Sequence, residues 1–344
     1  MVEVLKIGTV QAAKGELATG TIRGIELSCG TWVDIPVILI NGIEDGPTLL
    51  LTSTEHGDEI QGIEVIRQIT RHRVDPKTLK GAIIAIPVMN PLAFMHMLYR
   101  SWIDNLDISE VDAATREDAP TTGLLANAIW EEIFTKVKID MWINFHCNAL
   151  STALVYQEFD IRQPETRPTI EKMAKAFDVT SVYEGEKGTP VPEDAPSTLA
   201  NLAKRHGIPT LLVELIEGGH ISEPSTTVGV RGVLNVMKTF SMTPGDPEPQ
   251  IGIPIVRGRC RYHKMVRCTR GGIIHLTKIP GEFIKKGEVI ACIFDVWGNE
   301  VEAVQMPLDG YIWAYPLGKQ LGTDGRLQIV NSGDDVAYTF IVEE

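Results

Sequence analysis

Before residue 241, short apolar runs alternate with amphipathic segments, and this alternation limits the folds that the chain can adopt. The runs have the length of buried strands, and the amphipathic segments have the length of surface helices. Strands and helices that alternate in this way form a mixed, mostly parallel sheet with helices on its faces. The predicted strands are residues 48–54, 82–88, 139–145 and 210–215, and the predicted helices are residues 59–72, 121–137, 196–206 and 227–240.

A proline-rich stretch at residues 241–249 predicts a boundary between two domains, because proline cannot continue a helix and is common in linkers. We therefore expect an α/β domain over residues 1–243, with a β-rich lead-in at residues 1–35. Beyond the linker the chain consists of short apolar runs separated by Gly and Pro, which predicts a smaller all-β domain over residues 250–344.

The sequence Glu-His-Gly-Asp-Glu follows the predicted strand 48–54 and places His56 and Glu59 three residues apart, where a strand passes into a helix. Such a pair can bind one metal ion from one side. Zinc in hydrolytic sites takes three protein ligands and keeps a fourth position for water. The third ligand should therefore come from elsewhere, and His146, directly after the predicted strand 139–145, is the candidate.

The spacing of His56 and Glu59 is weak support by itself, since the segment from His220 to Glu223 repeats it. The expected positions of these residues in the fold add further support for a metal site. Ligands of open α/β sheets bind outside the carboxyl ends of the strands. His56, His146 and Glu214 all lie at or near such ends, so we expect them to converge on one crevice.

Composition excludes several classes of protein. With 44% hydrophobic residues the chain can bury a large core, and its net charge of -13 argues against nucleic acid as a partner. The amino terminus lacks the features of a secretory signal, and no apolar run reaches the roughly 18 residues of a membrane helix. We therefore expect a cytoplasmic protein without a membrane partner. The five cysteines form no Cys-x-x-Cys pair, so neither a disulfide framework nor a thiolate zinc site is indicated.

Six short segments follow one another in a characteristic order between residues 36 and 240. They are Pro36-Val-Ile-Leu-Ile-Asn-Gly, Gly46-Pro-Thr-Leu-Leu-Leu, His56-Gly-Asp-Glu59, Pro87-Val-Met-Asn-Pro-Leu-Ala-Phe94, Asn144-Phe-His146 and Pro209-Thr-Leu-Leu-Val-Glu214. In that order they resemble the succinylglutamate desuccinylase and aspartoacylase family. The resemblance implies a hydrolase domain similar to the zinc carboxypeptidases, with one Zn²⁺ per chain bound by His56, Glu59 and His146.

The resemblance also implies a catalytic glutamate, which activates the attacking water and then protonates the leaving amine. Glu214, directly after an apolar run, corresponds to it, and the neighbouring Glu217 stays an alternative. In the second domain, the segments that begin at Pro280 and Pro307 look like the half-barrel repeats of biotinyl and lipoyl domains. No carrier lysine stands at the expected hairpin, so we expect that domain to have a structural or site-covering role.

One segment both matches the family and departs from it. Arg100 falls on the position of the family's oxyanion-stabilising arginine, and Asp107 is kept. The Asn-Arg pair that binds a substrate carboxylate in relatives is replaced by Ser109-Glu110, which reverses the charge. We therefore expect a substrate that is neutral, or that carries an amine, where the substrates of relatives carry a carboxylate. In the alternative, Glu110 turns to solvent and another basic residue binds the carboxylate.

Zinc, a glutamate base and an arginine together predict hydrolysis of an amide bond. The expected activity is a deacylase that removes an acyl group from the nitrogen of a small molecule, and the same groups would also hydrolyse an ester. A metallocarboxypeptidase is an alternative, and so is a non-catalytic small-molecule-binding protein that kept the fold. An acidic surface and an exposed β domain are compatible with a homo-oligomer.

Overall fold

The computed structural model of the chain describes residues 3–148, 150–183, 195–216, 218–316 and 327–343. Their strands are, in chain order, β1 Val4–Ile7, β2 Val10–Ala13, β3 Glu16–Glu26, β4 Trp32–Asn41, β5 Glu44–Ser53, β6 Lys80–Ile86, β7 Met141–Cys147, β8 Leu150–Ser151, β9 Leu154–Glu158, β10 Thr180–Tyr183, β11 Thr210–Leu215, β12 Arg259–Arg267, β13 Gly272–Leu276, β14 Phe283–Ile284, β15 Val289–Phe294, β16 Glu300–Gln305, β17 Gly310–Tyr315, β18 Leu327–Val330 and β19 Asp335–Glu343.

The α-helices of the same residues are α1 Gln61–Gln68, α2 Pro91–Phe94, α3 Thr121–Ile129, α4 Arg167–Phe177, α5 Leu199–Arg205 and α6 Glu223–Thr239. Turns of π-helix at Ile69–Arg73 and Trp130–Phe134 extend α1 and α3. Each predicted helix is present, with its ends moved by a few residues. The sequence did not predict α4, β9 or β10.

The α/β region is built on a mixed sheet in the order β3-β4-β6-β5-β7-β11-β9-β10. Its four central strands, β6, β5, β7 and β11, are parallel, as predicted. The strands β3, β4 and β9 run antiparallel to neighbours. Parallel central strands bring the carboxyl ends of β5, β7 and β11 to one edge, where the candidate ligands lie.

The described residues after residue 250 form strands and no helix, as predicted, and they continue the same sheet. Strand β12 pairs in parallel with β10, and β19, β17 and β14 follow it in order. A separate four-stranded sheet has the order β16-β15-β13-β18. The proline-rich segment packs on α6, where Asn235 exchanges two hydrogen bonds of 2.7 and 2.8 Å with the backbone of Glu248. The division of the chain into domains stays a prediction.

The two faces of the central sheet carry separate apolar cores. On β5, Leu50 joins one core, whereas Leu49 and Leu51 join the other. Every residue of β7 is buried, because helices cover both faces. Within the described ranges, no helix has both the length and the apolar character needed to cross a membrane.

Candidate metal centre

A sharp turn at the end of β5 puts His56 and Glu59 over the edge of the sheet. The turn begins at Thr54, a buried β-branched residue with φ of 61°. Such residues rarely adopt this conformation, and backbone strain of this kind clusters at functional sites. The Thr54 carbonyl accepts a hydrogen bond of 3.0 Å from the Asn90 N–H, which holds the turn against the chain that follows β6.

The structure brings the three predicted metal ligands together. His56 Nδ1 lies 3.2 Å from Glu59 Oε2, and His146 Nδ1 lies 3.0 Å from the same oxygen. One ligand atom from each residue lies within 4.8 Å of the other two, and all three side chains are buried. Neither ring nitrogen of His56 has a hydrogen bond of normal alignment, although carboxylates lie close to both. Two imidazoles and a carboxylate form a donor set of catalytic zinc sites, so the group fits a metal ion.

Further polar side chains orient the two imidazoles from behind. His56 Nε2 lies 3.3 Å from Asp107 Oδ2. His146 Nε2 lies 3.1 Å from Glu55 Oε2 and 2.9 Å from the amide nitrogen of Asn144. Histidines that bind metals commonly contact a carboxylate through the second ring nitrogen, which sets the tautomer and the ring orientation.

Sequence reasoning did not assign these roles to Glu55 and Asn144. Asn144 lies two residues before His146 on β7, and the two-residue period of a strand puts both side chains on one face. This two-residue period was the sequence signal that could have placed Asn144 beside His146. The position of the Glu55 side chain depends on the shape of the turn, which the sequence pattern does not indicate.

The electrostatics of the centre favour cations. Burial by itself lowers the pKa of His56, but the charges of Glu59 and Asp107 outweigh it and raise that pKa to about 9. Glu55 and Glu59 likewise raise the pKa of the buried His146 well above its usual range. The surrounding carboxylates therefore stabilise positive charge at this position.

Glu214 lies beside His146, on the neighbouring strand. The parallel register of β7 and β11 sets Glu214 opposite His146, and the Asn148 amide donates a hydrogen bond of 3.1 Å to Glu214 Oε2. A buried carboxylate next to a candidate metal position is suitably placed to exchange protons with a substrate. The alternative base, Glu217, lies outside the described residues.

The substrate-binding candidates divide into an inner and an outer pair. Asp107 contacts His56, and its Oδ1 accepts hydrogen bonds from the Ser109 N–H and hydroxyl at 2.9 and 2.7 Å. Arg100 and Glu110 are exposed and face each other, with Arg100 Nη2 3.5 Å from Glu110 Oε2. Within the described part of the chain, these two side chains do not contact the three candidate ligands.

Comparisons with known proteins identify the family of the chain. A model of the succinylglutamate desuccinylase/aspartoacylase catalytic domain matches residues 45–240. An N-alpha-acetyl-L-2,4-diaminobutyric acid deacetylase from Halomonas elongata is 23% identical over 281 residues, which are 79% of this chain and 78% of that protein.

Two solved structures share the fold. The product-bound ectoine utilization protein EutE (DoeB) from Ruegeria pomeroyi superposes with a TM-score of 0.79 at 19% identity, covering 99% of both chains. A succinylglutamate desuccinylase/aspartoacylase from Rhodobacter sphaeroides has a TM-score of 0.77 at 24% identity, covering 95% of this chain and 96% of that one.

Proposed function

Because the chain belongs to the succinylglutamate desuccinylase/aspartoacylase family, we propose that it is a zinc-dependent deacylase. It removes an acyl group from the nitrogen of a small molecule. The observation that carries this proposal is the convergence of His56, Glu59 and His146 at one edge of the sheet, with Glu214 opposite His146 in the register.

Zn²⁺ bound by these three side chains would polarise a carbonyl oxygen and increase the acidity of water. Glu214 is the general base. It takes a proton from the attacking water while the hydroxyl oxygen bonds to the acyl carbon, and it returns that proton to the amine nitrogen as the C–N bond breaks. The products are a carboxylic acid and an amine. The hydrogen bond from Asn148 holds the Glu214 carboxylate in place for both transfers.

Arg100 is the proposed oxyanion-stabilising residue. A guanidinium carries five N–H donors and stays charged throughout the reaction. Its contact with Glu110 is long, at 3.5 Å, and engages one terminal nitrogen. Among the described residues no further partner takes its other donors, and these are the donors that would bind a developing oxyanion.

The substrate we propose is neutral or cationic where relatives bind a carboxylate. Glu110 occupies the position of the cationic member of the Asn-Arg pair and partly neutralises Arg100. The relative from Halomonas elongata is named for a substrate with a second amino group and a carboxylic acid, so its name supports an amine on the substrate and not the absence of a carboxylate. Comparison of kcat/KM for matched N-acyl substrates with and without a carboxylate, in the parent and in Glu110→Arg, tests it. A parental preference for the carboxylate-bearing member that Glu110→Arg leaves unaltered contradicts it.

Metal content and hydrolysis together test the activity. We expect one zinc per chain, lost in His56→Ala and in His146→Ala. His275→Ala is the control, because His275 lies on β13 in the separate four-stranded sheet, and it should keep the metal. Full zinc in both ligand variants under mild chelation contradicts the assignment. A parent protein with neither zinc nor zinc-dependent hydrolysis supports a binding protein that kept the fold.

A further inference from the structure

Five large apolar side chains are grouped in residues 95–103, beside the candidate metal centre. We call this group the apolar rim. Its members, each more than a third exposed, are Met95, Leu98, Tyr99, Trp102 and Ile103. Isolated exposed hydrophobic residues are ordinary on a protein surface, whereas a group of them within one short segment indicates a binding surface.

The apolar rim contacts the centre through the side chain of Tyr99 and the backbone of Leu98. The Tyr99 ring stacks on the His56 ring with centroids 3.8 Å apart and planes 10° apart. The Leu98 carbonyl accepts a hydrogen bond of 2.8 Å from the N–H of Gly57, the residue after His56. A substrate whose scissile bond lies at the centre would therefore have the apolar rim beside it.

Hydrogen bonds fix the shape of the segment. The Ser101 hydroxyl donates to Asn90 Oδ1 at 3.1 Å, and the Ser101 N–H donates to the Leu106 carbonyl at 3.0 Å. Asp104 accepts two hydrogen bonds from Thr122, in the first turn of α3, at 2.8 and 2.6 Å. A surface already held in one conformation loses little conformational entropy when a ligand binds.

The exposed charges beside the apolar rim are paired with each other. Arg100, the cation of the segment, pairs with Glu110. The rim thus offers apolar surface next to a paired cation.

We propose that the apolar rim binds an apolar group of the substrate, adjacent to the bond that is cleaved. The inference rests on the proposed deacylase function and narrows its substrate class to N-acyl compounds with an alkyl or aryl group. That group belongs to the acyl side or to the amine side, and the two sources are separable by experiment. A fully buried methylene favours binding by about fourfold, so the half-open rim should give about two- to fourfold per methylene.

Two substrate series measure this gain with the zinc-loaded protein. One lengthens the acyl chain from acetyl to hexanoyl on a fixed small amine, and the other keeps the acetyl group and lengthens the amine. We expect kcat/KM to rise with chain length in one series, which identifies the source. Flat profiles in both series, with measurable hydrolysis of the acetyl substrate, overturn the inference and leave the deacylase proposal standing.

A pair of matched variants tests whether the rise in kcat/KM with chain length depends on the apolar rim. Trp102 is 46% exposed within it, whereas Trp297 is 83% exposed in the carboxyl-terminal region. Trp102→Ala should lower the ratio of kcat/KM for the long and short members by about threefold or more, and Trp297→Ala should leave that ratio parental. Equal ratios in both variants overturn the inference. The inference is also overturned if Trp102→Ala keeps the parental ratio of kcat/KM and sediments as a monomer where the parent sediments as a dimer. The rim would then be an interface between copies of the chain.

A binding measurement makes the test independent of turnover. Hexanamide and N-hexylacetamide carry the alkyl group on the acyl and amine sides, and acetamide and N-methylacetamide are their short controls. Ligand-observed NMR should show tighter binding of one long amide, weakened by Trp102→Ala. Long and short amides that bind equally overturn the inference even if no substrate is hydrolysed. Absence of hydrolysis with every substrate contradicts the deacylase proposal instead.

Discussion

Replacement of Thr52 by Val tests whether a buried line of hydrogen bonds supports the metal centre. The Trp142 indole N–H donates to Thr52 Oγ1 at 2.7 Å, and the Thr52 hydroxyl donates to Asn144 Oδ1 at 2.6 Å. The Asn144 amide nitrogen then lies 2.9 Å from His146 Nε2. All four side chains are buried, so the contacts connect the sheet interior to a proposed ligand without the involvement of solvent.

Valine has nearly the shape of threonine, so the change removes the hydroxyl without creating a cavity. It leaves the Trp142 N–H and the Asn144 carbonyl without this partner. Each buried unpaired polar group costs about 1–3 kcal/mol, and the loss of the buried hydroxyl itself offsets a part. We expect the free energy of unfolding to fall by about 2–4 kcal/mol. Because Asn144 is then less well oriented toward His146, zinc affinity should fall by about tenfold or more.

Chemical denaturation of the metal-free protein measures the first effect, since bound zinc would add its own linkage to stability. Competition with a chelator measures the second. Thr48→Val is the matched control, because Thr48 is a buried threonine on β5 that lies outside this line of hydrogen bonds. Equal stability and equal zinc affinity of the two variants would refute the reasoning.

Three further outcomes are expected. An ideal Cβ on Gly57 would lie 2.1 Å from a backbone carbon of α2. Gly57→Ala should therefore lower the free energy of unfolding by about 1–3 kcal/mol and should also lower zinc affinity. Denaturation measures the first effect, and chelator competition measures the second. In the core, a Cβ on Gly232 would lie 2.4 Å from the Phe177 ring, so Gly232→Ala should lower stability by a similar amount and leave zinc affinity unchanged. An equal effect of Gly57→Ala and Gly232→Ala on zinc affinity would contradict this expectation. Burial raises the pKa of Cys260 to about 11, whereas Cys29 is exposed and has a lowered pKa. Iodoacetamide at about pH 8 should therefore label Cys29 before Cys260, and mass analysis of the peptides measures the order of labelling.

The sequence predicted the parts of the centre that follow from strand periodicity and strand direction. His146 and Glu214 each stand at the carboxyl end of an apolar run, and parallel strands bring such ends to one edge. His56 and Glu59 follow from the same rule, since they begin at the end of β5. The convergence of the strand ends needed no knowledge of loop shape, whereas the turn at Thr54 sets the positions of His56 and Glu59.

The parts that the sequence did not predict depend on loops and on distant pairings. The stacking of Tyr99 on His56 requires the path of residues 95–103. The pairing of Arg100 with Glu110 joins residues ten apart in a loop without periodicity. The continuation of the sheet from β10 into β12 depends on pairing between strands far apart in sequence, and a local pattern carries no information about such register.

One face of the central sheet changes from apolar to polar along its strands, and this change separates metal binding from substrate binding. On β5 and β7, Leu50 and Trp142 belong to an apolar core, and the residues that follow on the same face are Thr52, Asn144 and His146. His146 therefore stands on a buried strand, where a displacement is opposed by the packed core beneath, and His56 and Glu59 lie on the turn that directly follows β5. The proposed substrate contacts lie on the loop at residues 95–110. Substitutions in the sheet should therefore act on stability and metal binding together, whereas substitutions of the exposed side chains of that loop should redirect substrate choice at little cost in stability.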